Sequence, residues 1–234
     1  LRLGVGAGAA LAAGSAYNAF VGESAGAATT TGIYNLAFGS EALFSTTTGS
    51  YNTASGYDSM YSNTTGNQNT AFGSEALYSN ITGFGNMAIG YRALSSNTTA
   101  GGSVAIGFSA LEANTTGLAN TAVGFRALYG NTTGANNIAV GRTTLYANTT
   151  VSNLVAVGYE ALKANTTGTE NTAVGYQTLT LNTTGNQNSA SGYQSLYSNT
   201  TGSYNTASGY SALRWSSTGA GNSAFGHEAL LSTG

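Results

Sequence analysis

Nine asparagines, Asn63, Asn80, Asn97, Asn114, Asn131, Asn148, Asn165, Asn182 and Asn199, each stand two residues before a threonine with no proline between. Asn-x-Thr is the acceptor pattern for N-linked glycans, so all nine are candidate glycosylation sites. The competing reading is a stacked Asn/Thr corner whose side chains bond neighbouring backbone. A repeat copies the pattern with every unit, and glycans spaced at about 4.8 Å would crowd one another.

Aromatic residues form a second recurrent set. Tyr57, Tyr91, Phe108, Phe125, Tyr159, Tyr176, Tyr193 and Tyr210 share one position of a repeating unit, and Phe44, Tyr61, Tyr78, Tyr129, Tyr146 and Tyr197 share another. The first set is a candidate contact stripe, a platform for sugars or an adhesive surface. The alternative is that such rings stack on one another or fill an interface between chains. Glu41, Asp58 and Glu75 fall one unit apart. Stacking would bring these carboxylates near the ~5 Å separation of a retaining glycosidase pair, or make a weak cation site of oxygen ligands. A charged corner facing water accounts for them without either. His227 is the single histidine, with no partner for a triad or a His-based metal site. The segment Gly4-Val5-Gly6-Ala7-Gly8 matches no phosphate-binding pattern. The chain therefore reads as a non-enzyme with no cofactor and no metal.

All of these residues are placed by one strict period. Glycines from Gly22 to Gly226 recur at every seventeenth residue, thirteen in all, with no insertion or deletion. The best units read Asn-Thr-Ala-x-Gly-x-x-Ala-Leu-x-x-Asn-Thr-Thr-Gly-x-x, as in residues 120–136. Such a period marks a solenoid, each unit one coil stacked on the last. With positions counted from the glycine as zero, position −2 is Ala in twelve coils, Phe20 being the exception. Position −1 is Val, Ile or Phe in ten coils and Ser in three, and β-branched residues dominate at −3. This stretch reads as a short strand. Ala at −2 and Gly at zero share a face, so another backbone must approach closely there. Position +4 is Leu in eleven coils, with Gly26 and Met60 as exceptions. A buried Leu column is the main cohesive term, at roughly 1.5–3 kcal/mol per side chain. Seven of the fourteen charged residues fall at +2, which reads as an exposed corner between the first strand and a second one carrying the leucine. Asn-Thr-Thr-Gly at +7 to +10 reads as the opposite corner, because Asn and Gly tolerate positive φ.

Composition narrows the setting. Charged residues make up 6% of the chain, against about 25% in an average soluble protein. A net charge of −2 and the lack of a basic stripe argue against nucleic acid. No apolar run approaches the ~18 residues of a membrane span, so no membrane insertion is expected. There is no cysteine. A low-charge surface rich in Thr, Asn and Tyr suits an extracellular, cell-surface or virion-surface fibre. The chain opens at Leu1 rather than Met, as a processed protein or a piece of a longer one would.

The segment Ser103-Val104-Ala105-Ile106-Gly107-Phe108-Ser109 resembles the head repeat of trimeric autotransporter adhesins, and residues 171–175 and 222–226 look like the same half-motif. The chain is also similar to repeats of phage and large-virus tail fibres. The resemblance covers about six residues of each unit; the adhesin repeat is shorter and lacks the Asn-Thr-Thr-Gly insert. It implies a parallel β-roll, three chains per fibre and a role in surface attachment.

The expectation is thus an all-β, parallel β-solenoid (β-roll) of 17-residue coils over residues 18–234, preceded by an irregular cap or assembly segment, 1–17. Ala, Gly and one Leu per coil look too slight to enclose a core, which points to a homotrimer, an end-to-end filament, or both. The expected function is that of an adhesive fibre subunit that binds a cell-surface glycan or protein receptor through many weak contacts. The alternative is a solenoid that binds glycan or ice with its Tyr or Thr arrays.

Overall fold

The computed structural model describes residues 1–232; Thr233 and Gly234, the last two residues of the expected solenoid span, lie outside the described residues. The chain is an all-β, parallel β-solenoid of 17-residue coils. It forms two compact units, Leu1–Ala119 and Asn120–Gly234. The first carries β1 (Arg2–Leu3), β2 (Ala19–Val21), β3 (Leu36–Phe38), β4 (Thr53–Ser55), β5 (Thr70–Phe72), β6 (Met87–Ile89) and β7 (Val104–Ile106). The second carries β8 (Thr121–Val123), β9 (Ile138–Val140), β10 (Val155–Val157), β11 (Thr172–Val174), β12 (Ser189–Ser191), β13 (Thr206–Ser208) and β14 (Ser223–Phe225). Within each unit strand order follows chain order, and from β2 onward the register is one coil, as in Leu36↔Thr53, Ala37↔Ala54 and Phe38↔Ser55.

Each strand occupies −3 to −1, as expected. Alternation buries the central alanine and turns both neighbours outward. The glycine ends the strand at a φ near +135°, for example +138° at Gly56 and +133° at Gly73, where side chains are strongly disfavoured. A Cβ on Gly56 would lie 2.5 Å from the carbonyl carbon and oxygen of Gly73. The close backbone approach expected of this glycine is real, but the approaching backbone is the chain's own next coil.

The expected second strand does not form. Positive φ recurs at +2 and +4, as in Glu75 (56°) and Leu77 (53°), or Arg126 (50°) and Leu128 (52°). Alternate N–H groups close local turns, Ala42 N to Gly39 O, Phe44 N to Glu41 O and Thr46 N to Leu43 O. The groups between reach the next coil, Leu43 N to Ser59 O and Ser45 N to Tyr61 O, both 3.0 Å. A positive φ at the third residue of a four-residue turn is what type II geometry requires. Leucine there costs about 1–2 kcal/mol, offset by burying a side chain worth about 1.5–3 kcal/mol. The +2 corner is accordingly half-buried rather than fully exposed at Glu41, Asp58, Glu75, Arg92, Arg126 and Glu160. In the opposite corner positive φ falls at +12, as in Tyr51 and Gln68, not at the Asn or Gly of Asn-Thr-Thr-Gly.

The core is Ala at −2, a small residue at +3, Leu at +4 and asparagines at −4 and +7, nearly all fully buried. A single chain therefore closes its own core. The thin-core argument for a trimer is corrected, because the inward asparagines fill the space that the apolar residues leave.

Residues 1–17 are not irregular. β1 pairs in parallel with β2, Arg2↔Phe20 and Leu3↔Val21, an offset of 18 rather than 17. Positive φ at Gly4, Gly6 and Gly8 repeats the pattern at zero, +2 and +4, and Gly8 N and Ala10 N bond Ala25 O and Ala27 O of the next coil. The single extra residue takes this coil out of the 17-residue register, and glycine replaces its diagnostic leucine. Phe20 explains both irregular positions. Its buried ring occupies the space above Gly8 and Gly26, where a Cβ would meet it at 2.9 and 2.6 Å. Phe20→Ala should therefore destabilise strongly, Gly26→Leu should clash, and the double variant should recover most of the loss. A double-mutant cycle by urea unfolding should return a favourable coupling of about 2 kcal/mol; additive losses would contradict this packing.

Candidate functional site

The nine candidate acceptors, Asn63, Asn80, Asn97, Asn114, Asn131, Asn148, Asn165, Asn182 and Asn199, are all fully buried. In the first unit Asn80 Nδ2 donates to Asn63 Oδ1 at 2.8 Å and to Gly83 O at 3.1 Å, and Asn97 Nδ2 donates to Asn80 Oδ1 at 2.7 Å. In the second, Asn182 Nδ2 bonds Asn165 Oδ1 at 2.9 Å and Asn199 Nδ2 bonds Asn182 Oδ1 at 2.8 Å. The nitrogen that would carry a glycan points into the coil, and no sugar fits there. The glycosylation reading is corrected on this ground: these asparagines form an internal ladder.

A second ladder was not singled out in the sequence. Asn at −4 occurs in eleven of thirteen coils, a frequency that could have flagged it. Asn52 N and Asn69 N donate to the Oδ1 of the preceding coil's asparagine, both at 3.0 Å, while Asn52 Nδ2 and Asn69 Nδ2 each reach a +10 carbonyl at 2.8 Å. Both ladders converge on that +10 carbonyl. At Gly66 the space is tight, since a Cβ there would lie 2.5 Å from Gly83 O and 2.8 Å from Asn80 Nδ2, although Val151 holds the same position in another coil. The threonine at +8 completes the corner. Thr64 N, Thr65 N, Gly66 N and Thr64 Oγ1 all donate to Ile81 O. Its hydroxyl is thus engaged between coils, and within each unit the +9 threonines face outward. An ice-binding face with two outward threonines per coil is not what this corner presents.

The aromatic positions form face-to-face stacks. In the second unit Tyr159, Tyr176, Tyr193, Tyr210 and His227 follow one another at 4.9–5.1 Å between ring centroids. There Tyr129 and Tyr146 stack at 5.2 Å, and the Arg126 and Arg142 guanidiniums lie over the Phe125 ring. In the first unit Tyr91 stacks on Phe108 at 5.3 Å, and Phe44, Tyr61 and Tyr78 form a run at 5.0 and 5.2 Å. A third run, Tyr17, Tyr34 and Tyr51, lies at +12 and was missed because only four coils have Tyr there. Stacking occupies ring faces and turns edges outward, so within these runs sugars lose the free face they would stack on. Tyr57 differs, with Ser40 and Ser74 at the same position of the adjacent coils.

Glu41, Asp58 and Glu75 occupy one column of the first unit. Burial, and then the charge of Glu41, raises the Asp58 carboxyl above its usual range. The Asp58 charge, more than burial, raises the Tyr57 phenol. Glu75 pairs with Arg92 at 3.1 Å, and Arg92 reaches Glu112 at 3.3 Å. In the second unit burial would raise Glu160, but hydrogen bonds from Lys163 and Gln177 outweigh it and lower the carboxyl. A shallow depression of about 450 Å³ lies on the threonine corner between Thr150 and Glu170. Among the described residues no group of three or more acidic or histidine side chains is arranged to hold a metal ion, and no helix is long and apolar enough to cross a membrane.

The outward faces of the strands are the other notable surface. Positions −3 and −1 carry no charged residue in any coil, and Leu36, Phe38, Phe72 and Met87 in the first unit and Ile138, Val174 and Phe225 in the second are exposed.

The chain is thus a repeat solenoid with polar ladders inside and apolar and aromatic columns outside. Compared with protein-family models, curated proteins and solved structures, it has no match.

Proposed function

We propose that this chain is a structural and adhesive subunit of an extracellular fibre or filament at a cell or virion surface, acting through many weak contacts repeated from coil to coil. The observation that carries the reading is the uncharged sheet face, with exposed apolar residues at −1 and −3 in each unit. Large exposed apolar surfaces mark interaction sites. A β face repeating at coil spacing fits against further copies of the chain, and the resemblance to adhesin head repeats sets their number at three, a homotrimer packed by this face. Repetition then converts a weak contact into strong attachment to a glycan or protein receptor by raising the effective concentration of each further contact. The resemblance to adhesin head repeats supports the same reading.

Sedimentation velocity and electron microscopy test it. The chain should sediment as a trimer, or a larger fibre, at micromolar concentration. The Val157→Lys/Val174→Lys variant, charged on the outward face of β10 and β11, should be monomeric with unchanged circular dichroism. A monomeric parent chain would overturn the reading.

A further inference from the structure

In the +1 column of the second unit, Phe125 and Tyr159 stand two coils apart. Arg142, on the coil between, holds its guanidinium carbon 5.6 Å from one ring centroid and 5.8 Å from the other. Both distances fall within the ~6 Å reach of a cation–π contact. The same column of the first unit repeats this spacing without its filling. Tyr57 and Tyr91 stand two coils apart, and the residue between them is Ser74. Coils step by ~4.8 Å, so rings at these positions leave room for one planar group above a short hydroxymethyl side chain. Tyr57 is 56% exposed and Tyr91 42%. At the adjoining +2 positions the Tyr57 and Ser74 coils carry Asp58 and Glu75, with Glu41 one coil before them, and the Tyr91 coil carries Arg92. That guanidinium is already paired with Glu75 and Glu112. Asp58 Oδ1 is buried without a hydrogen-bond donor.

We propose that Tyr57, Ser74 and Tyr91 form a slot for the guanidinium of an arginine on a partner protein, sandwiched between the two rings and paired with the carboxylates beside them. The chain itself shows the occupant in the equivalent place, and the charge is complementary. Guanidinium fits better than ammonium, because it is planar, weakly hydrated and stacks on ring faces. The slot belongs to one chain and stands independently of any assembly of copies.

The probe is the peptide acetyl-Gly-Arg-Gly-amide, with an otherwise identical peptide carrying citrulline, titrated into the full chain and followed by the tyrosine ring signals in NMR. The arginine peptide should shift the Tyr57 and Tyr91 signals saturably, and citrulline should bind about tenfold more weakly or worse. Tyr57→Ala should weaken binding by about tenfold. Ser74→Arg should abolish it by filling the slot from within, as Arg142 does. Tyr57 is an exposed ring, so its variant carries the test even if Ser74→Arg fails to fold. No saturable shift with the arginine peptide, equal binding of the citrulline peptide, or full binding by Tyr57→Ala would each overturn the proposal.

Discussion

Replacing Gly56 with alanine should cost at least about 4 kcal/mol, enough to unfold the first unit. Two effects add. At φ +138° any side chain is strained, by about 1–3 kcal/mol. The new Cβ would also lie 2.5 Å from the carbonyl of Gly73. That carbonyl is held in place, because it accepts from Ala76 N at 3.3 Å while Gly73 N donates to Ser55 O at 2.8 Å. The contact is backbone on backbone, so no rotamer change relieves it. Gly85→Ala is the control. Its φ of +63° is one that Tyr, Gln and Glu adopt at the equivalent position of other coils, and nothing lies within 4 Å of the added carbon. It should change stability by less than about 1 kcal/mol. Urea unfolding followed by circular dichroism separates the two, and similar losses at both sites would contradict the stacking described here.

Asn80→Asp should be the second large effect, and it should depend on pH. Asn80 Nδ2 donates to Asn63 Oδ1 and Gly83 O, both acceptors. An ionised carboxylate in that place meets two oxygens, buried, with only Asn97 Nδ2 donating to it. Burial and the facing acceptors must raise the aspartate above its unfolded value of about 3.9. The folded state then binds more protons than the unfolded chain above that value, so stability falls as pH rises. The variant should be closest to the parent below about pH 4 and lose up to about 1.4 kcal/mol per pH unit above it. By pH 7 the loss should reach about 3–5 kcal/mol, the cost of an unpaired buried charge. A pH-independent penalty would place Asn80 in contact with water.

The period, the three-residue strand, the inward alanine and the leucine column were all legible, because each rests on one residue type recurring at one position. The close backbone contact at the glycine was legible as a contact but not in its partner. A small residue records that something approaches, not whether it comes from the same chain. The turn carrying Leu77 and Leu128 was read as a strand because leucine rarely takes positive φ. Tertiary burial overrode that local preference, and the alternating turns appear only once coils stack. The asparagines read as a corner because Asn tolerates positive φ, but they sit at that corner with ordinary φ and turn their side chains inward. Their inward orientation becomes favourable when amides find partners one coil away, as from Asn63 to Asn97 and from Asn165 to Asn199, a cooperative feature that a single unit does not display. The first coil escaped because one extra residue moved it out of register. In the candidate surface, the columns of Tyr57 and Tyr159 were legible by position. Whether a ring's face is free depends on the residues one coil away, such as Ser74 or Arg142.

Under the proposed function, self-association resides in repetition rather than in one place. Deletion of a whole coil tests it most directly, because removing residues 172–188 or 189–205 keeps the 17-residue register intact. The association constant of each variant, measured by sedimentation equilibrium beside the parent chain, is the deciding quantity. Both deletions should leave folded chains whose self-association is weakened by similar, modest factors. Complete loss in one variant with no change in the other would locate the function at a single site and contradict the account.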